Sequence, residues 1–234
     1  MPRSHPNTLS EILESKKNIL LTDGAARGNP GPSGWAYILL SGEKNKAYEG
    51  IGHVPNSTNN KMEMMGCLEG LAAVKKEELR NEIWLITDSN FLIDAITKWR
   101  RNWKKNGWKK SDGTDVLNVD IWQKIDPLAD ETKPHFVHIE AHKGHPGNTR
   151  CDLLAVAAAT EKDEVLFSGT LDKYPHFKKI AFDKIYSTAK YLCWRGKTYK
   201  EFSLWPEAQH FMKENPSHRV RKIYSPEEIE QLLG

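Results

Sequence analysis

Residues 20–40 read LLTDGAARGNPGPSGWAYILL. An apolar strand over Asn18 to Thr22 runs into Asp23, and a second begins at Trp35 and continues to Leu40. Between them stand Gly24, Gly28, Pro30, Gly31, Pro32 and Gly34, enough breakers to predict a loop from Asp23 to Gly34. A turn at Ser41-Gly42 and a third strand near Ala47 to His53 complete an antiparallel meander.

Working outward, a short helix over Leu9 to Ser15 precedes the meander, and a helix with 3.6-residue periodicity follows it over Asn59 to Val74, with Thr58 or Asn59 as cap. Ile83 to Thr87 is a short apolar strand, and Ser89 stands where it can cap a further helix. His135 to Ala141 reads as a strand and Arg150 to Thr160 as a helix. Three consecutive strands and then alternating helix and strand predict an α/β fold, a mixed sheet with flanking helices. Sites in such sheets gather at the carboxyl ends of strands, where Asp23 and Asp88 fall.

The chain is expected to divide into a lead over 1–16, an α/β domain over 17–160, a linker over 161–188 and a small accessory domain over 189–234. In the last, Tyr191 to Trp194 and Thr198 to Phe202 flank Arg195-Gly196-Lys197 as a hairpin. A helix from Pro206 to about Glu214 and a basic strand over Arg219 to Tyr224 follow. Ser225-Pro226-Glu227-Glu228 then has the form of a capping box, giving the order ββαβα.

With 234 residues, 38% hydrophobic and 28% charged, the composition is that of a soluble globular protein, and a net charge of +3 is too small to name a partner. The local charge says more, since Lys98 to Lys110 (KWRRNWKKNGWKK) holds seven Lys or Arg and no acid. Cys67, Cys151 and Cys193 are far apart and lack ligand spacing, which argues against a disulfide framework or a zinc site and favours reduced thiols in the cytoplasm. The N-terminal stretch has no apolar core of a signal peptide, and no run approaches the ~18 residues that cross a bilayer.

Four acids each sit in distinctive surroundings: Asp23, Glu63 in NSTNNKMEMMG, Asp88 in WLITDSN and Asp152 in GNTRCDLLA. Glu63 heads a helical stripe of Gly66, Cys67 and Gly70, small residues that let the helix approach the sheet closely. Gathered carboxylates repel one another unless a cation sits among them. Without His or Cys donors they suit hard ions, Mg²⁺ before Zn²⁺. Two such ions ~3.5–4 Å apart support in-line phosphoryl displacement, so phosphodiester hydrolysis is the expected chemistry.

Asp23-Gly24 with Asn29-Pro30-Gly31-Pro32, then Thr58 to Glu63, then Thr87-Asp88-Ser89, then Lys143-Gly144-His145 with Asn148 and Cys151-Asp152, closely resemble the bacterial-type (type 1) ribonuclease H. The resemblance runs from about Asn18 to Ala159. It implies a five-stranded mixed sheet with flanking helices. It also implies endonucleolytic hydrolysis of the RNA strand of RNA–DNA hybrids by two-metal-ion cleavage, leaving 5′-phosphate and 3′-hydroxyl ends. Asp23, Glu63, Asp88 and Asp152 take the metal-ligand roles, for two Mg²⁺ ions with Mn²⁺ as the alternative, and His145 that of a mobile histidine assisting proton transfer or product release. Gly24, Asn29, Thr58, Asn59, Asn60 and Asn90 fall where the hybrid is touched. Trp99, Trp103, Lys104, Lys105 and Trp108 belong to the basic protrusion that grips the DNA strand, working in a monomer with no membrane partner.

Two features depart from the family pattern. The loop between His145 and Asp152 is several residues shorter, and Asn90 replaces a glutamine; His138 and His142 read as structural or surface residues. The C-terminal stretch faintly resembles the small hybrid-binding domain, with Trp194 and Trp205 for stacking and Lys197, Lys200, Arg219, Arg221 and Lys222 for phosphates. The alternative is a packing extension or protein-contact domain. For the whole chain the rivals are a catalytically silent hybrid-binding protein and a related two-metal DNA-cutting or strand-transfer enzyme. Four intact acids oppose the first, and the basic Trp-rich segment opposes the second.

Overall fold

The computed structural model describes residues 8–140, 145–181, 190–202, 205–223, 229 and 232–233. The chain forms two compact units, Met1–Lys184 and Ile185–Gly234. In the first, the described strands are β1 (Asn18–Ala26), β2 (Gly31–Ser41), β3 (Lys46–Ser57), β4 (Ile83–Thr87), β5 (His135–His138) and β6 (Ser168–Thr170). They form one mixed sheet in the order β5-β4-β1-β2-β3-β6. β1 pairs antiparallel with β2 and parallel with β4, which makes it the hinge between the meander and the parallel half.

The first strands run further than their glycines suggest. Asp23, Gly24, Ala25 and Ala26 pair with Ala36, Trp35, Gly34 and Ser33, so only the tip of the expected loop is a loop. The reason is packing. A Cβ on Gly24 would lie 2.3 Å from the amide nitrogen of Glu63, and one on Gly34 would lie 2.3 Å from the carbonyl oxygen of Ala155. These two glycines admit helix backbones to the two faces of the hairpin rather than turning the chain. Asp23 therefore stands inside β1, under helices, and not at the strand's end.

Helix α1 (Leu9–Glu14) precedes the sheet, capped by Thr8. Helix α2 (Asn59–Lys76) is capped by Thr58, whose side chain accepts from the Lys61 amide. The stripe beneath Glu63 behaves as the spacing predicts: Cys67 is fully buried, and a Cβ on Gly66 would meet the Asp23 carbonyl oxygen at 2.8 Å. The helix after Ser89 is broken into α3 (Asn90–Asp94), a π turn (Ala95–Trp99) and α4 (Arg100–Lys105). Helix α5 (Val119–Thr132) is not anticipated by the sequence reading; Pro127 lies inside it, and Ile121, Trp122, Ile125 and Ala129 pack it into the core with Leu20, Leu39, Met64 and Leu85. Helix α6 (Pro146–Ala159) begins earlier than expected, just after its cap at His145.

The stretch read as a linker carries β6, a 3₁₀ turn (Leu171–Lys173) and α7 (Phe177–Ala181). β6 pairs with β3 and makes the sheet six-stranded where the resemblance implies five. Its anchor is Glu49 of β3, a buried carboxylate that accepts from Arg150 Nε at 2.9 Å, Arg150 Nη2 at 3.0 Å, Tyr174 Oη at 2.8 Å and the Phe167 amide at 3.2 Å. Burial alone would push this carboxyl up; Arg150, Tyr174 and the amide overcome that and hold it below the usual range.

In the second unit β7 (Lys190–Arg195) is central, with β8 (Thr198–Phe202) and β9 (Arg219–Ile223) antiparallel on either side and α8 (Trp205–Glu214) between them in sequence. This matches the expected order as far as β9. The capping box over 225–228, the side chains of Trp205 and Lys222, and residues 141–144 with His142, Lys143 and Gly144 lie outside the described residues. Lys200, expected to meet phosphate, lies 5.3 Å from the ring centroids of both Phe202 and Phe211.

If the close approach at Gly34 fixes α6, Gly34→Ala must push the helix from the sheet. Overpacking of this kind typically costs about 1–3 kcal/mol. Chemical denaturation of wild type and variant should show that loss; equal midpoints would mean that α6 is not seated as described.

Candidate functional site

Four elements bring the acids together. Asp23 comes from β1, Glu63 from the first turns of α2, Asp88 from the residue after β4, and Asp152 from α6. Asp23 is the buried member, 7% exposed, and its Oδ1 accepts the Gly24 amide at 2.7 Å. Its carboxyl is pushed up to about 8, first by burial and then by Asp88, with Asp152 and Glu63 adding to the effect and the Gly24 amide opposing it. Each of the three other acids thus bears on Asp23.

Asp23, Glu63 and Asp88 are each held by a neutral donor. Glu63 Oε1 accepts from Asn59 Nδ2 at 3.1 Å, and Oε2 accepts from the Ser89 hydroxyl, which itself accepts from the Leu92 amide at 3.2 Å to cap α3. Burial raises the Glu63 carboxyl, with Asp88 adding and the Ser89 and Asn59 hydrogen bonds opposing. Asp88 Oδ2 accepts from Asn148 Nδ2 at 3.1 Å, and the Asp88 carbonyl meets His138 Nε2 at 3.1 Å. Among the described residues no three acidic, His or Cys side chains form a ready-made metal cage.

Ser89, Asn148 and His138 are the supports that the sequence reading does not assign. Ser89 is visible there only as a cap, and Asn148 only as part of a motif. His138 reads as structural, and the structure gives that word content, since it ties the end of β5 to the Asp88 backbone.

His145 is placed differently from a freely moving loop histidine. It is 9% exposed, and its Nδ1 accepts the Asn148 amide at 3.2 Å as the cap of α6. That hydrogen bond holds the ring in one orientation. To swing outward it must first release the helix end.

The residues expected to touch substrate divide into two groups. Gly24 lies beneath α2 with its amide already given to Asp23. Thr58 caps α2, Asn59 holds Glu63, and Asn29 Oδ1 accepts the Asn59 amide at 3.3 Å. Asn60 and Asn90 are exposed.

In the basic segment the rings of Trp99 and Trp103 lie 5.7 Å apart, and Trp103 lies 5.7 Å from Trp122 of α5, which ties the segment to the core. Trp108 also packs against that core and Trp99 is 38% exposed. Lys104 is engaged with Asp126 at 2.6 Å, beside the buried Arg100, whereas Lys105 is exposed.

The family model described as RNase H matches residues 15–160. The ribonuclease H of Alcanivorax borkumensis is 44% identical over 140 residues, 60% of this chain and 89% of that protein. That of Nitrosococcus oceani is 38% identical over 156 residues, 67% of this chain and 99% of that protein. Among solved structures, LC9-RNase H1, described as a type 1 RNase H with the type 2 active-site motif, has a TM-score of 0.58 at 21% identity, covering 75% of this chain and 82% of its own, a likeness of fold.

The raised Asp23 value has a consequence for stability. A carboxyl whose folded value lies above its unfolded one contributes stability that is full below its ordinary 3.8 and is lost as pH climbs toward 8. Without divalent cations, Asp23→Asn should therefore unfold at a higher temperature than wild type at pH 8, by roughly 2–4 °C for each kcal/mol regained. The gain should shrink toward pH 4, and thermal melts across that range check it. An equal midpoint at pH 8 would mean that the four charges do not press on one another.

Proposed function

Because the chain belongs to the RNase H family, we propose that it hydrolyses the RNA strand of RNA–DNA hybrids endonucleolytically, leaving 5′-phosphate and 3′-hydroxyl ends. What supports the reading is Asp23: it is buried, and burial first, then Asp88, Asp152 and Glu63, push its carboxyl up. Such an arrangement is unfavourable by itself and becomes favourable beside a cation. The donor set is all oxygen, which fits a divalent hard ion, Mg²⁺ or Mn²⁺. Asp23, Glu63, Asp88 and Asp152 are the residues that would hold it. Bound there, a pair of such ions supplies charge neutralisation and a polarised water for attack on phosphorus.

The chain's own residues do the rest. Ser89 and Asn59 orient Glu63, Asn148 orients Asp88, and the Gly24 amide orients Asp23. His145 keeps the start of α6 in place. Exposed Asn60 and Asn90 suit the 2′-hydroxyls and base edges of the minor groove, by which RNA is told from DNA. Arg101, Lys105 and Lys110 are exposed on or beside α4 and supply sequence-independent phosphate affinity. Free, buried Cys67, Cys151 and Cys193 agree with a reducing cytoplasmic setting. Among the described residues no helix is long and apolar enough to cross a membrane.

A second nucleic-acid contact belongs to the small unit. Trp194 is flanked across the strands by Tyr199 and Arg219, and Arg195, Lys197 and Arg221 are exposed nearby in sequence. An aromatic among cations suits stacking combined with phosphate contact.

With a labelled hybrid and Mg²⁺, wild type should cut only the RNA strand and leave double-stranded DNA intact. Asp88→Asn should lower kcat by more than the ~10–100-fold typical of outer-shell partners of a metal site. Cleavage unchanged by that substitution, or equal on double-stranded DNA, would sink the reading. Removing residues 185–234 should weaken hybrid binding and flatten its salt dependence by about one unit of slope for each phosphate no longer neutralised. Unaltered affinity would leave that unit a packing or protein-contact role.

A further inference from the structure

Helix α6 meets the sheet mostly through small residues. Cys151, Ala155, Ala158 and Ala159 are buried, Leu154 is the one large apolar side chain of the helix buried with them, and the opposing Gly34 has no side chain at all. A contact of this kind brings backbones close but offers few interlocking knobs against rotation or sliding of the helix about its own axis. The orientation of Asp152 needs another source.

Arg150 provides one. It lies two residues before Asp152, a separation of about 200° around a helix, so the two side chains leave the axis on nearly opposite sides. Its guanidinium grips Glu49 with a two-point fork, Nε at 2.9 Å and Nη2 at 3.0 Å. A fork fixes direction as well as distance. Glu49 in turn is fixed on every side. The Tyr174 hydroxyl donates to it at 2.8 Å and the Phe167 amide at 3.2 Å, while its own amide donates to the Phe167 carbonyl at 2.9 Å. The Phe167 and Tyr174 rings pack 5.1 Å apart, and Arg150 Nη1 reaches Glu164 at 3.6 Å. The chain beyond α6 thus turns back over Arg150 and is sewn to β3.

We propose that Glu49, Arg150 and Tyr174 are positioning residues that set the rotation of α6 and thereby aim Asp152 at Asp23. On this view the stretch from 164 to 174 is a working part of the catalytic unit, since without it Glu49 loses two of its donors. The inference rests on the reading of Asp152 as a metal ligand. The arrangement has a mechanical logic: the four acids repel, and α6, seated on the sheet mostly through small residues, is the element whose acid yields to that repulsion unless a clamp on the flank away from Asp152 resists.

The test uses the full chain and Mn²⁺ as probe, with free Mn²⁺ counted by electron paramagnetic resonance and folding followed by circular dichroism. At a temperature where all variants are folded, Glu49→Gln should weaken Mn²⁺ binding by about tenfold, as for outer-shell partners of a metal site. Tyr174→Phe, which keeps the ion pair and removes one neutral hydrogen bond, should weaken it by about two- to fivefold. Both should lower kcat while leaving KM for the hybrid unchanged. A lower unfolding temperature with unchanged Mn²⁺ affinity would overturn the proposal and leave the network a stabilising role. Asp152→Asn separates the two readings. If it keeps wild-type Mn²⁺ affinity, the ligand assignment fails; if it loses affinity while Glu49→Gln and Tyr174→Phe keep theirs, positioning alone is overturned.

Discussion

The close approach of two helices to opposite faces of one β-hairpin is the constraint from which the rest follows. Gly24 leaves room for the backbone of α2, and Gly34 for that of α6. With a side chain at either position a helix would stand off, and the acid it carries would withdraw from Asp23. Because β1 is also the strand that pairs with β4, the hairpin that receives both helices also sets the height of Asp88. Three separate elements thus take their registration from β1 and the strand paired with it. Convergence of the acids is a by-product of backbone packing rather than of any attraction among the acids themselves.

That packing is opposed by electrostatics. Burial and like charge together lift the Asp23 carboxyl to about 8, so at neutral pH the site works against the fold. The described donors that support the carboxylates are a backbone amide, a serine hydroxyl and two asparagine amides. Neutral donors orient a carboxylate without cancelling its charge. A lysine or arginine in their place would relieve the repulsion and remove the reason for a cation to enter. Where the fold does use charged pairs, it keeps them apart from the four acids, as in Arg100 with Asp126 and Arg150 with Glu49.

Glu63 was legible in the sequence because its motif carries part of its support, Asn59 four residues before it; Ser89, directly after Asp88, turns to Glu63 instead, and Asp88 is held by Asn148, 60 residues away. The stripe of Gly66, Cys67 and Gly70 was legible for the same reason, since helical spacing turns local order into a face. What was not legible depends on pairs distant in sequence. Glu49 finds Arg150 101 residues away and Tyr174 125 residues away, and none of the three stands in a pattern that announces the others. The three-residue β6, Ser-Gly-Thr, has no apolar alternation, and Pro127 masks α5. The glycines of the first hairpin misled for a physical reason: glycine serves both turns and close approach, and only the partner backbone tells which.

A site of this kind also constrains how substrate can be held. On the proposed function it must accept a polyanion while presenting four acids, and local cations relieve that repulsion only for the phosphates beside them. Affinity for the rest of the duplex has to come from elsewhere, and the segment around α4 is built for it in two layers. Its inner layer, Arg100 and Lys104, is used up on Asp126 and Asp130, and the Trp99, Trp103 and Trp122 rings continue the attachment to α5. Its outer layer, Arg101 and Lys105, remains exposed. A rigid inner layer lowers the entropy lost when the outer cations meet phosphates, because the helix bearing them is already ordered. Positive charge on such a mount binds a backbone without reading its bases. Discrimination of RNA from DNA is then left to the groups beside the acids, which is where a cut confined to one strand of a hybrid requires it to be.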